Sequence, residues 1–549
     1  MPAWSSPGLA VGGSVMVASA HPAATAAGVA VLRDGGTAVD AAVATAFALA
    51  VVEPYSSGLG GGGFAVGFTP GRAAGDAGET WALDFREIAP AAAHRELYFR
   101  EGRPVAELSR TGGLAVAVPG MVRGLEELHR QGGRLPWRRL LEPAVALARD
   151  GFPVSALLRE RIARHAPRLN DAARAIFLDR GEVPAEGSLL RQPDLARTLA
   201  AVAAGGADAF HTGRLAEAVA AGARGAGGIL TAQDLAAFRS RWRVPVEGRY
   251  RGLRVVGMPP PSSGGVHVVE MLQILDGWNL AAAEHGSAEA SHLLLEVMKQ
   301  AFAERSMLLG DPDFVAVPVD RLLSRGHADS LRALVDRRRA RPPESIPGAP
   351  VVAPESAETS HLSVVDAAGG AVAVTVTINL VFGSGVVAPG TGVVLNDEMD
   401  DFATAPGLPN AFGLVGGEAN AVAAGKRPLS SMAPTLLLRE GAVYLVTGSP
   451  GGSRIISTVL QTIVNVVDFG MDPYQAVAAP RLHHQWWPRT AYHEPYGISP
   501  DTRRLLEGYG HRWSEREPMG NAQLIVVDPE TGQRRGASDP RGMGLAAGF

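Results

Sequence analysis

The chain has 549 residues, 46% of them hydrophobic and 19% charged, and its 51 basic residues nearly balance 55 acidic ones. A chain of this length and composition folds and buries a large core, and its charge balance excludes the basic excess that nucleic acid or an anionic lipid surface requires. It has no cysteine, which excludes disulfides, thiolate zinc sites and a cysteine nucleophile together.

The first basic residue is Arg33, so the N-terminus lacks the charged region that opens a secretory signal, and the chain as written is expected to be cytoplasmic. Residues 41–52 are apolar but too few to span a bilayer, and they stop at Glu53-Pro54; they read as a buried helix, and no transmembrane segment is expected. The following Gly58-Leu-Gly-Gly-Gly-Gly63 formally fits a dinucleotide fingerprint, which must follow a strand and open a helix. Here a helix precedes it and a strand over 64–68 follows, so a tight turn with close backbone approach is expected. Pro119 opens a helical stretch through 130, ended by Gly132-Gly133, and 287–309 is the longest amphipathic helix candidate. Helices are expected to dominate residues 1 to about 340.

A proline-, arginine- and alanine-rich linker over about 337–358, with prolines at 342, 343, 347, 350 and 354, reads as an exposed connector. Beyond it the pattern turns to strands, at 359–366, 371–380, 392–395 and a hairpin-like pair, 435–438 with 443–447. Helices return at 453–467 and 500–506, and a last strand is expected at 523–527. Strands packed with helices imply a layered core of α/β or α+β type. Residues 359–549 carry the whole charge imbalance, with 17 acidic and 13 basic residues.

The common hydrolytic motifs are missing: there is no G-x-S-x-G elbow and no H-E-x-x-H. His483 and His484 are adjacent, so they point to different faces and read as packing histidines rather than metal ligands. Small polar residues instead concentrate after the linker. Thr359 sits where the linker meets a strand, and a threonine made N-terminal by cleavage carries its own base in the α-amine. Without cleavage it simply starts a strand. Thr375, Thr377 and Asn379 lie two apart and share a face of an extended strand. Asn396-Asp-Glu-Met-Asp-Asp401 puts four carboxylates into six residues, which could hold an ammonium, bind calcium or form a solvated loop; the EF-hand spacing is missing. Pro428-Leu-Ser-Ser-Met432 offers paired hydroxyls. In Thr447-Gly-Ser-Pro-Gly-Gly-Ser453 two glycines precede a helix, which suits either an oxyanion or a helix cap.

These segments together resemble the γ-glutamyltransferase family over nearly the whole chain. The resemblance is carried by Leu83-Asp-Phe-Arg-Glu87, Met258-Pro-Pro-Pro-Ser-Ser-Gly-Gly265, Thr359-Ser-His, 396–402, Lys426-Arg-Pro-Leu-Ser-Ser-Met432, 447–454 and His483-His-Gln-Trp486. It implies an α+β N-terminal nucleophile hydrolase, an αββα sandwich built from a large chain, 1–358, and a small chain, 359–549, after self-cleavage of the Glu358-Thr359 bond. By the same resemblance Thr359 is the nucleophile and Thr377 its hydrogen-bonding partner. Arg86, Ser430 and Ser431 hold the substrate α-carboxylate; Asn379, Glu398 and Asp401 receive its α-amino group; Gly451 and Gly452 form the oxyanion hole. The implied reaction splits the γ-glutamyl amide of glutathione and passes the acyl group to water, an amino acid or a dipeptide, with no metal or cofactor. At the level of residues alone, Arg86 has a second reading as a local surface pair with Asp84 or Glu87.

Two departures from the family stand out. Phe412, on a stretch resembling the family's lid loop, falls where many bacterial members carry tyrosine. Those members are also usually exported, which makes a periplasmic or secreted protein the alternative to a cytoplasmic one. Two other functions remain open on the sequence: a cephalosporin or glutaryl acylase of the same family, and an uncleaved binding protein without chemistry.

Overall fold

The computed structural model describes residues 8–71, 77–348, 359–404 and 417–549. Two seven-stranded sheets lie face to face between helical layers. One runs in the order Leu9–Gly12, Arg534–Ser538, Gln523–Val527, Ala442–Gly448, Thr435–Arg439, Leu253–Gly257, Val246–Tyr250. The other runs Leu545–Gly548, Met16–Ser19, Ser360–Val365, Ala371–Thr377, Gly62–Thr69, Glu79–Asp84, Arg241–Arg243. Every neighbouring pair in both sheets is antiparallel.

Alternation along the strands builds this sandwich. Phe64, Val66 and Phe68 point into the core shared with Leu436, Leu445 and Ile525 of the facing sheet, whereas Ala65 points outward to the first helices. Helices Pro22–Arg33 and Ala38–Val52 cover that outer face, and Ala38–Val52 is buried at every position, as its uninterrupted apolar run requires. On the far side Gly264–Leu275 and Arg454–Val467 cover the other sheet. The result is the αββα sandwich of N-terminal nucleophile hydrolases.

Helices dominate residues 1–340, as expected, yet the same residues also build half of the sandwich. They supply seven of the fourteen sandwich strands, three or more in each sheet. Most are short: Leu9–Gly12 and Met16–Ser19 have four residues each, too few for alternation to stand out in an alanine- and glycine-rich sequence. Helix Ala288–Leu308 has the expected extent, capped by the Ser287 side chain, but it is buried around most of its circumference rather than amphipathic. The glycine-rich turn is a close-approach device as expected. A Cβ on Gly61 would stand 1.9 Å from the Thr377 carbonyl oxygen, and one on Gly60 would stand 2.1 Å from that of Val394. These glycines bring the segment after Leu395 alongside the end of strand Ala371–Thr377.

Candidate active site

Thr359 immediately precedes the inner strand Ser360–Val365, is nearly buried, and has its Oγ1 3.3 Å from Thr377 Oγ1. Thr377 is the last residue of its strand and accepts the Asn379 backbone N–H at 2.8 Å. The chain turns here: Asn379 has φ +75°, a left-handed conformation that asparagine tolerates better than most residues. The expectation that Thr375, Thr377 and Asn379 share one strand face is therefore corrected. The strand ends before Asn379, and the Thr375 hydroxyl bonds His361 Nδ1 at 2.8 Å inside the sandwich.

The acidic segment 396–401 divides its labour. Asn396 ties Gly60 and Ala117, Asp397 accepts the Leu380 N–H at 2.9 Å, and Asp400 accepts from Ser109 Oγ at 2.6 Å. Glu398 and Asp401 instead converge on Arg86, each ion-paired with its guanidinium. Arg86 follows the inner strand Glu79–Asp84 and is 1% exposed, so the alternative of a local surface pair does not hold. Its backbone N–H does bond Asp84, at 3.0 Å, and its Nε donates to the Pro428 carbonyl. Burial opposes the Arg86 charge, but Glu398, Asp401 and Glu87 outweigh it and hold its pKa above the usual value. Burial raises the Glu398 and Asp401 carboxyls against the pull of Arg86, and pushes Glu87 up to about 7.

The serine pair is pinned by the proline-rich motif. Ser263 donates both its N–H and its Oγ–H to the Ser430 carbonyl, at 2.8 and 2.7 Å, while the Ser430 N–H donates to the Pro261 carbonyl. The Ser430 hydroxyl accepts the Met432 N–H at 3.1 Å. The Ser431 hydroxyl accepts from Arg305, a residue that the sequence reading missed. Arg305 lies near the end of helix Ala288–Leu308 and donates to Ser263 Oγ at 2.9 Å and to Ser431 Oγ at 3.1 Å. Burial draws its pKa down to about 10, which Asp401 opposes and Arg86 reinforces, and it stays charged at neutral pH. No signal in the sequence singled it out, since a helix read as amphipathic carries charged residues such as Glu296, Lys299 and Glu304 as a matter of course.

Gly451 and Gly452 take φ +135° and +55° just before helix Arg454–Val467. Their carbonyls accept the Arg454 and Ile455 N–H groups, and among the described residues neither glycine amide donates to a backbone carbonyl. Ser453 does not cap the helix through its side chain, which donates to Gln485 Oε1 at 2.7 Å. His483 and His484 are buried, bonding Ser457 and the Trp486 N–H, as packing histidines do.

One small cavity is lined by Arg86, Thr359, Thr377, Asn379, Glu398, Asp401, Ser430, Ser431, Met432, Gly452 and Ile455. Residues from Arg86 to Ile455 thus meet in one place, which brings hydroxyls, carboxylates and a cation together. Among the described residues no histidine lines it. Gly451 lies beside the lining without contributing to it, and Glu358 and Phe412 lie outside the described residues.

The family model described as gamma-glutamyltranspeptidase matches residues 24–549. The chain is 45% identical to the glutathione hydrolase proenzyme of Escherichia coli (strain K12), over 97% of this chain and 92% of that protein. It is 39% identical to the acylase ACY 1 proenzyme of Pseudomonas sp. (strain SE83), over 95% and 91%. Among solved structures, that of the cephalosporin acylase from Bacillus halodurans superposes with a TM-score of 0.86 at 30% identity, covering 100% of this chain and 98% of that one.

Proposed function

The chain belongs to the gamma-glutamyltranspeptidase family and is a γ-glutamyltransferase and glutathione hydrolase; on that premise we propose that it works through Thr359 and the cavity around it. The observation that supports this reading most is the single cavity where Thr359 meets a cation, carboxylates and paired hydroxyls.

The chain first cleaves itself. The Thr359 Oγ attacks the Glu358 carbonyl carbon, the C–N bond breaks, and the nitrogen takes a proton to become the Thr359 α-amine. Water then hydrolyses the ester, leaving a chain that ends at Glu358 and one that begins at Thr359, held together as a heterodimer. The freed amine, with a pKa of about 7.7–8.0 in model peptides, is the base for later turnovers. Thr377 accepts the Asn379 N–H and so keeps its own O–H available toward Thr359 Oγ1.

A γ-glutamyl donor carries an α-ammonium and an α-carboxylate on one carbon. It enters between Arg86 and its two carboxylates, exchanging the internal ion pairs of Arg86 with Glu398 and Asp401 for intermolecular ones. The carboxylate takes the Arg86 fork and the O–H groups of Ser430 and Ser431. The ammonium takes Glu398, Asp401 and the Asn379 side chain. Arg305 acts through Ser431: by occupying a lone pair of that hydroxyl, it directs the O–H toward the substrate carboxylate. The amide carbonyl then faces Thr359, and the Gly451 and Gly452 amides stabilise the oxyanion. Collapse expels the amine leaving group and leaves a γ-glutamyl ester on Thr359, which water, an amino acid or a dipeptide resolves.

The relatives include acylases, whose existence supplies a second reading. A glutaryl amide has no α-ammonium to place against Glu398 and Asp401, and this favours γ-glutamyl donors. Comparing γ-glutamyl and glutaryl p-nitroanilides tests the choice: faster turnover of the first supports the reading, and equal or reversed preference overturns it.

A further inference from the structure

Three helices outside the catalytic cavity converge on a second cluster of ligand-type side chains. Glu270 comes from Gly264–Leu275, Glu304 from Ala288–Leu308 and His327 from Arg325–Ala333. One donor atom from each lies within 4.8 Å of the other two. His327 Nε2 is 3.4 Å from Glu270 Oε1 and 3.1 Å from Glu304 Oε2. Donors at bonds of about 2.0–2.1 Å around a tetrahedral zinc stand about 3.3 Å apart, so these separations need only small adjustment to share one ion.

Two further observations mark a built site. Glu270 is fully buried, and its Oε1, aimed into the cluster, has no hydrogen-bond partner among the described residues. His327 Nε2 at 3.4 Å gives that oxygen a long ion-pair contact, and a metal ion held between the two in place of the ring proton satisfies it more fully. The other oxygen, Oε2, is fixed by His267 Nδ1 at 2.7 Å, an outer partner of the kind that orients ligating carboxylates. Glu304 and His327 are about one-sixth exposed, leaving an entry path and room for a water as fourth ligand. The other cluster of this kind, His292, Glu296 and His511, is different: Lys299 Nζ sits 2.6 Å from Glu296 Oε1, and His292 bonds His511 and the Asp336 carbonyl, so an ammonium already fills it.

We propose that Glu270, Glu304 and His327 form a binding site for one divalent first-row transition metal of the zinc type, clamping three helices together. The set of one imidazole and two carboxylates suits zinc, cobalt or manganese better than magnesium, which prefers oxygen ligands and retained waters. Glu304 is the neighbour of Arg305 and points about 100° away around the helix, so the metal stiffens the helix end that carries Arg305 without entering the cavity.

The test uses the full-length enzyme stripped with chelator and titrated with zinc, with magnesium as control, by calorimetry and thermal melting. Wild type is expected to take up one equivalent of zinc lost in both Glu304→Gln and His327→Gln, and its Tm is expected to rise with zinc while that of the variants stays flat. Cobalt uptake by wild type gives a reading that needs no variant, because a four-coordinate site produces intense visible absorption. Zinc uptake that is absent in wild type or unchanged in the variants, or cobalt with only the weak spectrum of a six-coordinate ion, overturns the proposal.

Discussion

Thr377 Oγ1 lies 3.3 Å from Thr359 Oγ1 while accepting the Asn379 N–H at 2.8 Å, so one hydroxyl joins Thr359 to the turn that carries Asn379. Thr377→Val keeps the side-chain shape and removes both interactions. The loss of a buried hydrogen bond costs about 1–3 kcal/mol. The variant is expected to lower kcat roughly 10- to 100-fold and to slow the appearance of the small chain on a denaturing gel. Thr377→Ser is expected to restore most of both. If serine fails where valine fails, the methyl group, not the hydroxyl, is what matters.

Arg86 makes close contacts with Glu398 and Asp401, a longer one of 3.8 Å with Glu87 and one with the Pro428 carbonyl, a set that a lysine ammonium cannot reproduce in one plane. Charge-assisted bonds are worth about 1.5–3 kcal/mol each. Arg86→Lys is expected to raise KM for γ-glutamyl p-nitroanilide roughly 10- to 100-fold and leave self-cleavage complete. Steady-state kinetics on the fully processed variant measure this, and an unchanged KM removes Arg86 from substrate binding.

Among the described residues Arg305 reaches the cavity through Ser431 and Ser263. Arg305→Lys is expected to raise KM several-fold with a smaller change in kcat. In a Ser431→Ala background the same substitution is expected to do much less, since the hydroxyl it orients is gone. Additive effects in this double-mutant cycle contradict a positioning role.

His361 is buried between the two sheets, bonded to Thr375 and Ser363, and its burial lowers its pKa to about 3. Below pH 6.5 the unfolded chain takes up a proton here that the folded chain refuses, so this residue's contribution is intact above pH 6.5 and is lost progressively as the pH falls toward 3. Each pH unit in that window costs roughly 1.4 kcal/mol. Raised buried carboxyls such as Glu87 act in the opposite direction, so the comparison is made between wild type and His361→Gln. Urea midpoints measured from pH 6.5 to 4.5 are expected to fall more steeply in wild type; parallel curves contradict a neutral His361.

Five of the seven sandwich strands from Thr359 onward were legible, the clearest being long, β-branched and bounded by turn residues, as in Ala371–Thr377 and Ala442–Gly448; Arg534–Ser538 and Leu545–Gly548 lie beyond the expected last strand at 523–527 and correct it. In the first half of the sandwich the expected strand at 64–68 is present as Gly62–Thr69, but the others were not legible, since strands such as Met16–Ser19 depend on their neighbours rather than on their own pattern. The candidate site was legible wherever short motifs carry chemistry. Arg86, Glu398, Asp401 and the serine pair all reach the cavity. Two errors have one cause. Period-two reasoning put Thr375 and Asn379 on one face, and only the tertiary turn at Asn379 separates them. Arg305 escaped because its partners lie 42 and 126 residues away.

Everything proposed for the site requires Thr359 to become an N-terminus. The most direct test is N-terminal sequencing and intact mass of the chains formed by purified protein incubated without added protease. The account predicts a large chain of 358 residues and a small chain of 191 (549 − 358 = 191) beginning Thr-Ser-His-Leu, with Thr359→Ala remaining one inactive chain of 549. A small chain with any other first residue, or a Thr359→Ala protein that still divides, contradicts it.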